Sequence, residues 1–300
     1  MTTLDCAAPL ARLRVGDHAC VPVHGPDQRL TDLAGYTVGG LRRGEQVLLF
    51  AADPAGTGTE LAGRVPGCRA ALGRGQVAVL DSVEVYLSDG GLDAEVMLRQ
   101  LVAVVDSAVA AGYSGLRVAG DLTFAVTAGV GVDTVIDYET RVNALFTELP
   151  LIALCHYDPK AIGRVAWQRL SRTHPTTLSA GAGAGAGAGA EPVARLRARR
   201  TSTGLCLSGE ADLANHAALV GLLAGLPTIP GGCTVDATGL AFADVAAIAA
   251  LLRAVAGRRG RPTTIVAPAA VVRVLDLLGS AGLPGLTVVT SGPRCPGTGM

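Results

Sequence analysis

The chain has 300 residues, enough for two domains, and its 49% hydrophobic and 17% charged residues place it among globular rather than disordered sequences. Its 25 basic and 25 acidic residues balance and aromatics make up only 3%, which argues against a general polyanion partner and against single-strand nucleic-acid binding. No apolar run reaches the roughly 18 residues of a membrane span, the N-terminus lacks a basic start followed by an apolar stretch, and seven scattered cysteines suit a reducing compartment. The expectation is therefore a cytoplasmic protein with no membrane contact and no nucleic-acid partner.

In chain order, residues 17–23 read as a strand, and residues 28–43 as a helix stopped by Gly44. The run QVLLFA at 46–51 is a buried strand, and the segment after it, Ala52 to Glu60, reads as a glycine-bearing loop. Residues 77–80 form a further strand. Residues 93–111 carry Val96, Leu98, Leu101, Val102, Val105 and Val109 at helical spacing, with Gly112 following. Strand 116–119, helix 132–149, strand 151–157 and helix 161–170 complete the alternation. Strands separated by helices call for a mainly parallel sheet covered on both faces.

The run AGAGAGAGAGA at 180–190 cannot build a core and divides the chain. The expected layout is a first domain at 1–172, a flexible Gly/Ala-rich linker at 173–194, a second domain at 195–290 and a tail at 291–300. In the second domain, strands at 195–201 and 205–208 flank the hairpin turn Ser202-Thr203-Gly204. Helix 213–226, strand 233–237, helix 245–256, strand 263–266, helix 269–278 and strand 286–289 follow. Two independently packed α/β cores are the expectation.

Three stretches of the second domain, LSGEADLA at 207–214, TVDATGLAF at 234–242 and Asp244 at the start of the next helix, resemble the STAS domain of anti-sigma factor antagonists. The resemblance implies an interaction domain that docks onto a serine-kinase-type anti-sigma factor. In that family a serine or threonine at this helix start is phosphorylated, where backbone N–H groups and the helix dipole hold the phosphate. Here Ala246 stands at that place, so the usual switch is absent; Thr238, in the preceding turn, is the nearby hydroxyl.

The first domain resembles the MEDS sensory domain, whose fold is related to RecA-like and KaiC-like cores. The likeness is carried by Gly16-Asp17-His18, GQVAVLDSVEVY at 75–86, GLRVAGDLTF at 115–124, YETRVN at 138–143, LCHYD at 154–158 and His174-Pro175. It implies a sensory role. Ligands of open α/β sheets sit at the carboxyl ends of the strands, which points to His18, Asp81, Asp121, Tyr157 and Asp158, joined by Tyr138, Glu139 and Asn143 of one helix. Asp81 and Asp158 equally fit helix caps, and Tyr138 fits a packing position better than a site one.

Triphosphate chemistry needs a lysine in the phosphate loop, yet ADPAGTGTE at 52–60 has none, and the sole lysine is Lys160. His18, Cys20 and His24 do not make a zinc set, which wants four ligands, and Cys155 reads as a small buried residue of a central strand. No cofactor, no metal and no catalytic residue are expected. The reading is a bacterial signalling or transcription-regulatory protein in which a small ligand acts on the first domain and a partner protein on the second. The alternative is a degenerate RecA-like nucleotide-binding protein or NTPase.

Overall fold

The computed structural model describes residues 8–87, 91–178 and 194–291. The alanine–glycine run and the C-terminal tail from 292 lie outside the described residues.

The first domain contains α1 (Ala8–Ala11), β1 (His18–Pro22), α2 (Pro26–Arg43), β2 (Gln46–Ala51), α3 (Pro54–Arg64), α4 (Cys68–Gly73), β3 (Val77–Asp81), α5 (Ser82–Leu87) and α6 (Ala94–Ala110). It continues with β4 (Leu116–Asp121), α7 (Thr123–Thr127), α8 (Val132–Val142), β5 (Leu151–Tyr157), α9 (Pro159–Ile162), α10 (Arg164–Ser171) and β6 (Thr176–Thr177). Its strands lie in the order β6-β1-β5-β4-β2-β3, all parallel. β5 is buried along its whole length, as an apolar strand with helices on both faces must be.

The second domain contains β7 (Ala194–Thr201), β8 (Gly204–Ala211), α11 (His216–Leu223), β9 (Cys233–Ala243), α12 (Val245–Ala256), β10 (Thr263–Ala267), α13 (Ala269–Leu277) and β11 (Leu286–Thr290). β7 and β8 form the expected antiparallel hairpin, and β8, β9, β10 and β11 are parallel in that order. Its apolar core is a cluster of its own, separate from the two clusters on the faces of the first sheet.

Several elements differ from the sequence expectation. The segment after β2 is a helix from Pro54, because Asp53 accepts a hydrogen bond from Gly56 N–H at 2.9 Å and caps it. The helix expected over 161–170 is divided at Gly163, whose φ of 83° interrupts it. The helix expected from 213 starts at His216, because Asp212 and Asn215 hydrogen-bond local backbone and hold a turn there. β9 runs on to Ala243, so Thr238 lies within a strand rather than in a turn.

The larger correction concerns the seam between domains. The two sheets are one. β6 pairs antiparallel with β7, Thr176 opposite Arg195 and Thr177 opposite Ala194, giving an eleven-stranded sheet. Residues 173–178, assigned to the linker from sequence, fold onto the first domain: Thr173, His174 and Thr176 are buried, and Leu178 joins its core. The reason is edge chemistry. β1 and β7 would each end a sheet with unpaired N–H and C=O groups, and β6 with its antiparallel partner closes both.

Other contacts reinforce the seam. Arg197 donates to the buried Asp17 at 2.7 Å, Leu196 N–H to Pro175 C=O at 2.9 Å, and Ala218 N–H to Arg172 C=O at 3.1 Å. α11 lies on α8 so closely that a Cβ on Gly221 would fall 2.0 Å from the Thr140 carbonyl oxygen.

The arginine-rich stretches of the second domain serve structure. Arg258 is fully buried; it donates to Thr263 Oγ1 at 2.7 Å and to the carbonyls of Leu226, Ile229 and Gly231 at 3.0, 2.9 and 2.6 Å. Arg258→Met leaves these carbonyls in the core without donors. It should cost this domain about 3 kcal/mol, read as a lower urea midpoint of the second domain; a loss under about 1 kcal/mol would refute the assigned role.

Candidate functional site

Two features of the first domain can act on a ligand. The first is an open cleft of about 730 Å³ at the carboxyl ends of β2, β3 and β4, lined among others by Arg29, Phe50, Asp53, Gly56, Asp121 and Phe124. Asp121 is ion-paired with Arg29 and accepts from Thr123 N–H at 2.9 Å. The N-terminus of α3 opens into this cleft, but its amide is taken by Asp53, which also puts a negative charge where a phosphate would lie. Asp81 accepts from Val83 and Glu84 N–H, and Asp158 from Lys160 N–H at 2.8 Å. Both are helix caps, and neither joins the second feature.

That second feature is a closed polar cluster between the sheet and α8. Here β1 contributes His18, β5 contributes Cys155 and Tyr157 from alternate positions on one face, and α8 contributes Glu139 with Asn143 one turn on. The segment before β6 adds His174. All six are buried. Four of the eight sequence candidates, His18, Glu139, Asn143 and Tyr157, therefore converge, and Tyr138 lies beside them. Cys155 and His174 also belong, though neither was singled out from sequence as a site residue. Cys155 shares its strand face with Tyr157, which alternation alone could have shown; for His174 only the His-Pro likeness offered a signal. His156, next in the chain to Cys155, faces the other way toward Asp32.

The hydrogen bonds fix the chemistry of the cluster. Asn143 Nδ2 donates to the carbonyls of Glu139, Thr140 and Thr173 at 2.7, 3.3 and 2.8 Å. Its oxygen must then be the atom facing His18 Nδ1 at 3.0 Å, so that nitrogen carries a proton. His174 Nδ1 lies 2.9 Å from the Leu170 carbonyl, an acceptor only, so it too is protonated. Both histidines then turn their Nε2 atoms inward. His18 Nε2 lies 3.2 Å and His174 Nε2 3.5 Å from the same oxygen, Glu139 Oε2. Cys155 Sγ is 3.5 Å from His18 Nε2 and 4.0 Å from Glu139 Oε2. Tyr157 donates to the other carboxylate oxygen at 2.5 Å.

Burial opposes the charge on Glu139, but His174, His18 and the Tyr157 hydroxyl outweigh it and hold the carboxyl at about 2. Burial pushes His174 down to about 4 against the pull of Glu139. Burial, and then Glu139, push the Cys155 thiol well up. A chamber of about 30 Å³, room for a water molecule, adjoins the cluster beside Tyr86 and Tyr138.

In the second domain, Asp244 caps α12 by accepting from Ala247 N–H at 2.7 Å, and Ala246 is exposed in the first turn. Leu213, Phe242 and Val245, at 59%, 52% and 59% exposure, stand bare beside it. They are neighbours because Ala211 pairs with Ala243 and Asp244 N–H donates to Ala211 C=O.

The architecture is that of a mainly parallel α/β domain joined to a small STAS-type α/β domain, and family comparison agrees. The family model of the MEDS domain, the methanogen/methylotroph DcmR sensory domain, matches residues 17–175, and that of the "Mlab, STAS domain" matches residues 194–289. The chain belongs to the MEDS family, with a STAS domain following. Among curated proteins none matches the chain. Among the described residues no helix is long and apolar enough to cross a membrane.

Proposed function

We propose that this chain is a non-enzymatic cytoplasmic regulator of transcription in which a small ligand on the sensory domain governs a STAS domain of the anti-sigma-antagonist type, whose partner is a serine-kinase-type anti-sigma factor. The observation that carries the reading is the apolar patch of Leu213, Phe242 and Val245 around Ala246. It surrounds the helix start through which STAS domains are regulated, and it stays open although α11 of the same domain is pressed against α8. Large apolar side chains left bare together mark a protein-binding surface.

Alanine at position 246 carries no hydroxyl for a phosphate, so the control that a phosphate exerts elsewhere falls here to the docked sensory domain. The open cleft beside Arg29 and Asp121 is the place for the ligand. A nucleotide-hydrolysing role has less support: the cleft contains no lysine, and Asp53 occupies the α3 amide.

Calorimetric titration with kinase-type anti-sigma factors of the same cell tests the reading. At least one should bind, and Phe242→Asp should weaken it 30-fold or more, about 2 kcal/mol, the loss of a central aromatic anchor. Binding indifferent to Phe242→Asp, or magnesium-dependent ATP turnover by the purified chain, would overturn it.

A further inference from the structure

We propose that His18, Glu139, Cys155 and His174 are the four ligands of a zinc ion. The hydrogen bonds to Asn143 and Leu170 occupy the outer nitrogens of both imidazoles, so two Nε2 atoms, a thiol and a carboxylate oxygen face one another inside a buried core. Like acceptors do not converge in a low-dielectric interior without a cation between them. Among the described residues Tyr157 serves the other Glu139 oxygen, the Cys155 thiol, a weak donor, reaches in, and His174 Nε2 has no hydrogen-bond partner although it is fully buried.

The spacing suits a metal. The four donor atoms lie within 4.8 Å of one another. A tetrahedral ion about 2.0–2.3 Å from its ligands sets those ligands about 3.3–3.8 Å apart. The separations of 3.2, 3.5, 3.5 and 4.0 Å between His18, His174, Cys155 and the Glu139 oxygen sit around that range. Two imidazoles, a thiolate and a carboxylate are a zinc-type donor set, whereas calcium or magnesium would want oxygens.

An outer layer is also present. Asn143 orients His18, the Leu170 carbonyl orients His174, and Tyr157 holds the second oxygen of Glu139, the kind of support that fixes ligand rings and carboxylates at metal sites. On binding, the Cys155 proton leaves to solvent and the sulfur enters as thiolate. The ligands come from β1, β5, α8 and the segment leading to β6, so the ion ties the strand at the domain seam to the middle of the sheet.

The test begins with the intact chain purified without chelator. Elemental analysis should find close to one zinc per chain. After metal removal, cobalt should restore one equivalent, with the intense visible bands of a tetrahedral site and a near-ultraviolet thiolate-to-cobalt charge-transfer band. Cys155→Ser should lose the charge-transfer band yet keep its circular dichroism. Asn143→Ala should weaken cobalt binding about 10–100-fold. Metal-free protein that is folded and shows no cobalt spectrum would overturn the proposal, as would a spectrum unchanged in Cys155→Ser. The first of these results uses the wild-type chain alone, and the circular dichroism of Cys155→Ser checks that the variant is folded.

Discussion

Gly221→Val should detach the STAS domain from the sensory domain and leave both folded. Position 221 is buried where α11 crosses α8, and a Cβ there already meets the Thr140 carbonyl oxygen at 2.0 Å and Asn143 Cβ at 3.1 Å. Backbone cannot move aside as a flexible side chain can. Valine therefore forces the helices apart, at about 1–3 kcal/mol or more. The rest of the seam, two residue pairs between β6 and β7, the Arg197–Asp17 and Arg200–Glu148 ion pairs and two backbone hydrogen bonds, has little to hold against that. Two separate unfolding transitions and a larger scattering radius should replace the values of the parent chain. An unchanged radius with a single transition would refute the α8–α11 contact. Because each domain has its own apolar core, the cost falls on the interface and not on the folds.

Arg117→Met should lower the stability of the sensory domain by about 3–5 kcal/mol. Arg117 Nε lies 2.6 Å from Glu45 Oε2 with both side chains buried, Nη2 donates to Leu13 C=O at 2.7 Å, and the guanidinium stacks 4.5 Å from the centroid of the Tyr36 ring. Methionine fills much of the volume but strands the Glu45 carboxylate in the core. Adding Glu45→Met to Arg117→Met removes the stranded charge and should recover most of the loss, since a buried ion pair and an apolar replacement are of similar stability. Chemical denaturation of the three chains measures it. A double variant no better than the single would show that the cost lies elsewhere than in the unpaired charge.

The central strands β2 and β5 were readable because each is a nearly continuous apolar run. The bounds of β2 and β5 coincide with QVLLFA and LIALCHY, and α12 begins and ends where its apolar spacing does. What escaped is short or depends on distant partners. β6 is two threonines, with no pattern at all, and it exists because β1 and β7 need a neighbour. The alanine–glycine run suggested that the domains are independent, since composition says nothing about which edges meet. In the cluster, His18, Glu139, Asn143 and Tyr157 were recognisable from likeness and from position on strand or helix. His174 was not, because its place beside Glu139 is set by a turn after α10 that only tertiary structure defines. Asp81 and Asp158 had fitted two roles equally, and their local amide bonds make them helix caps.

The eleven-stranded sheet has a weak link. Six residue pairs join β7 to β8, whereas two join it to β6. Pulled or thermally jostled, the molecule would unzip at Thr176–Thr177 before either half frayed, as a seam with two stitches parts before cloth. Amide protons of Ala194 and Leu196 should thus exchange with solvent sooner than those inside the β7–β8 hairpin. A signal that reaches this point has little to break in order to release one domain from the other.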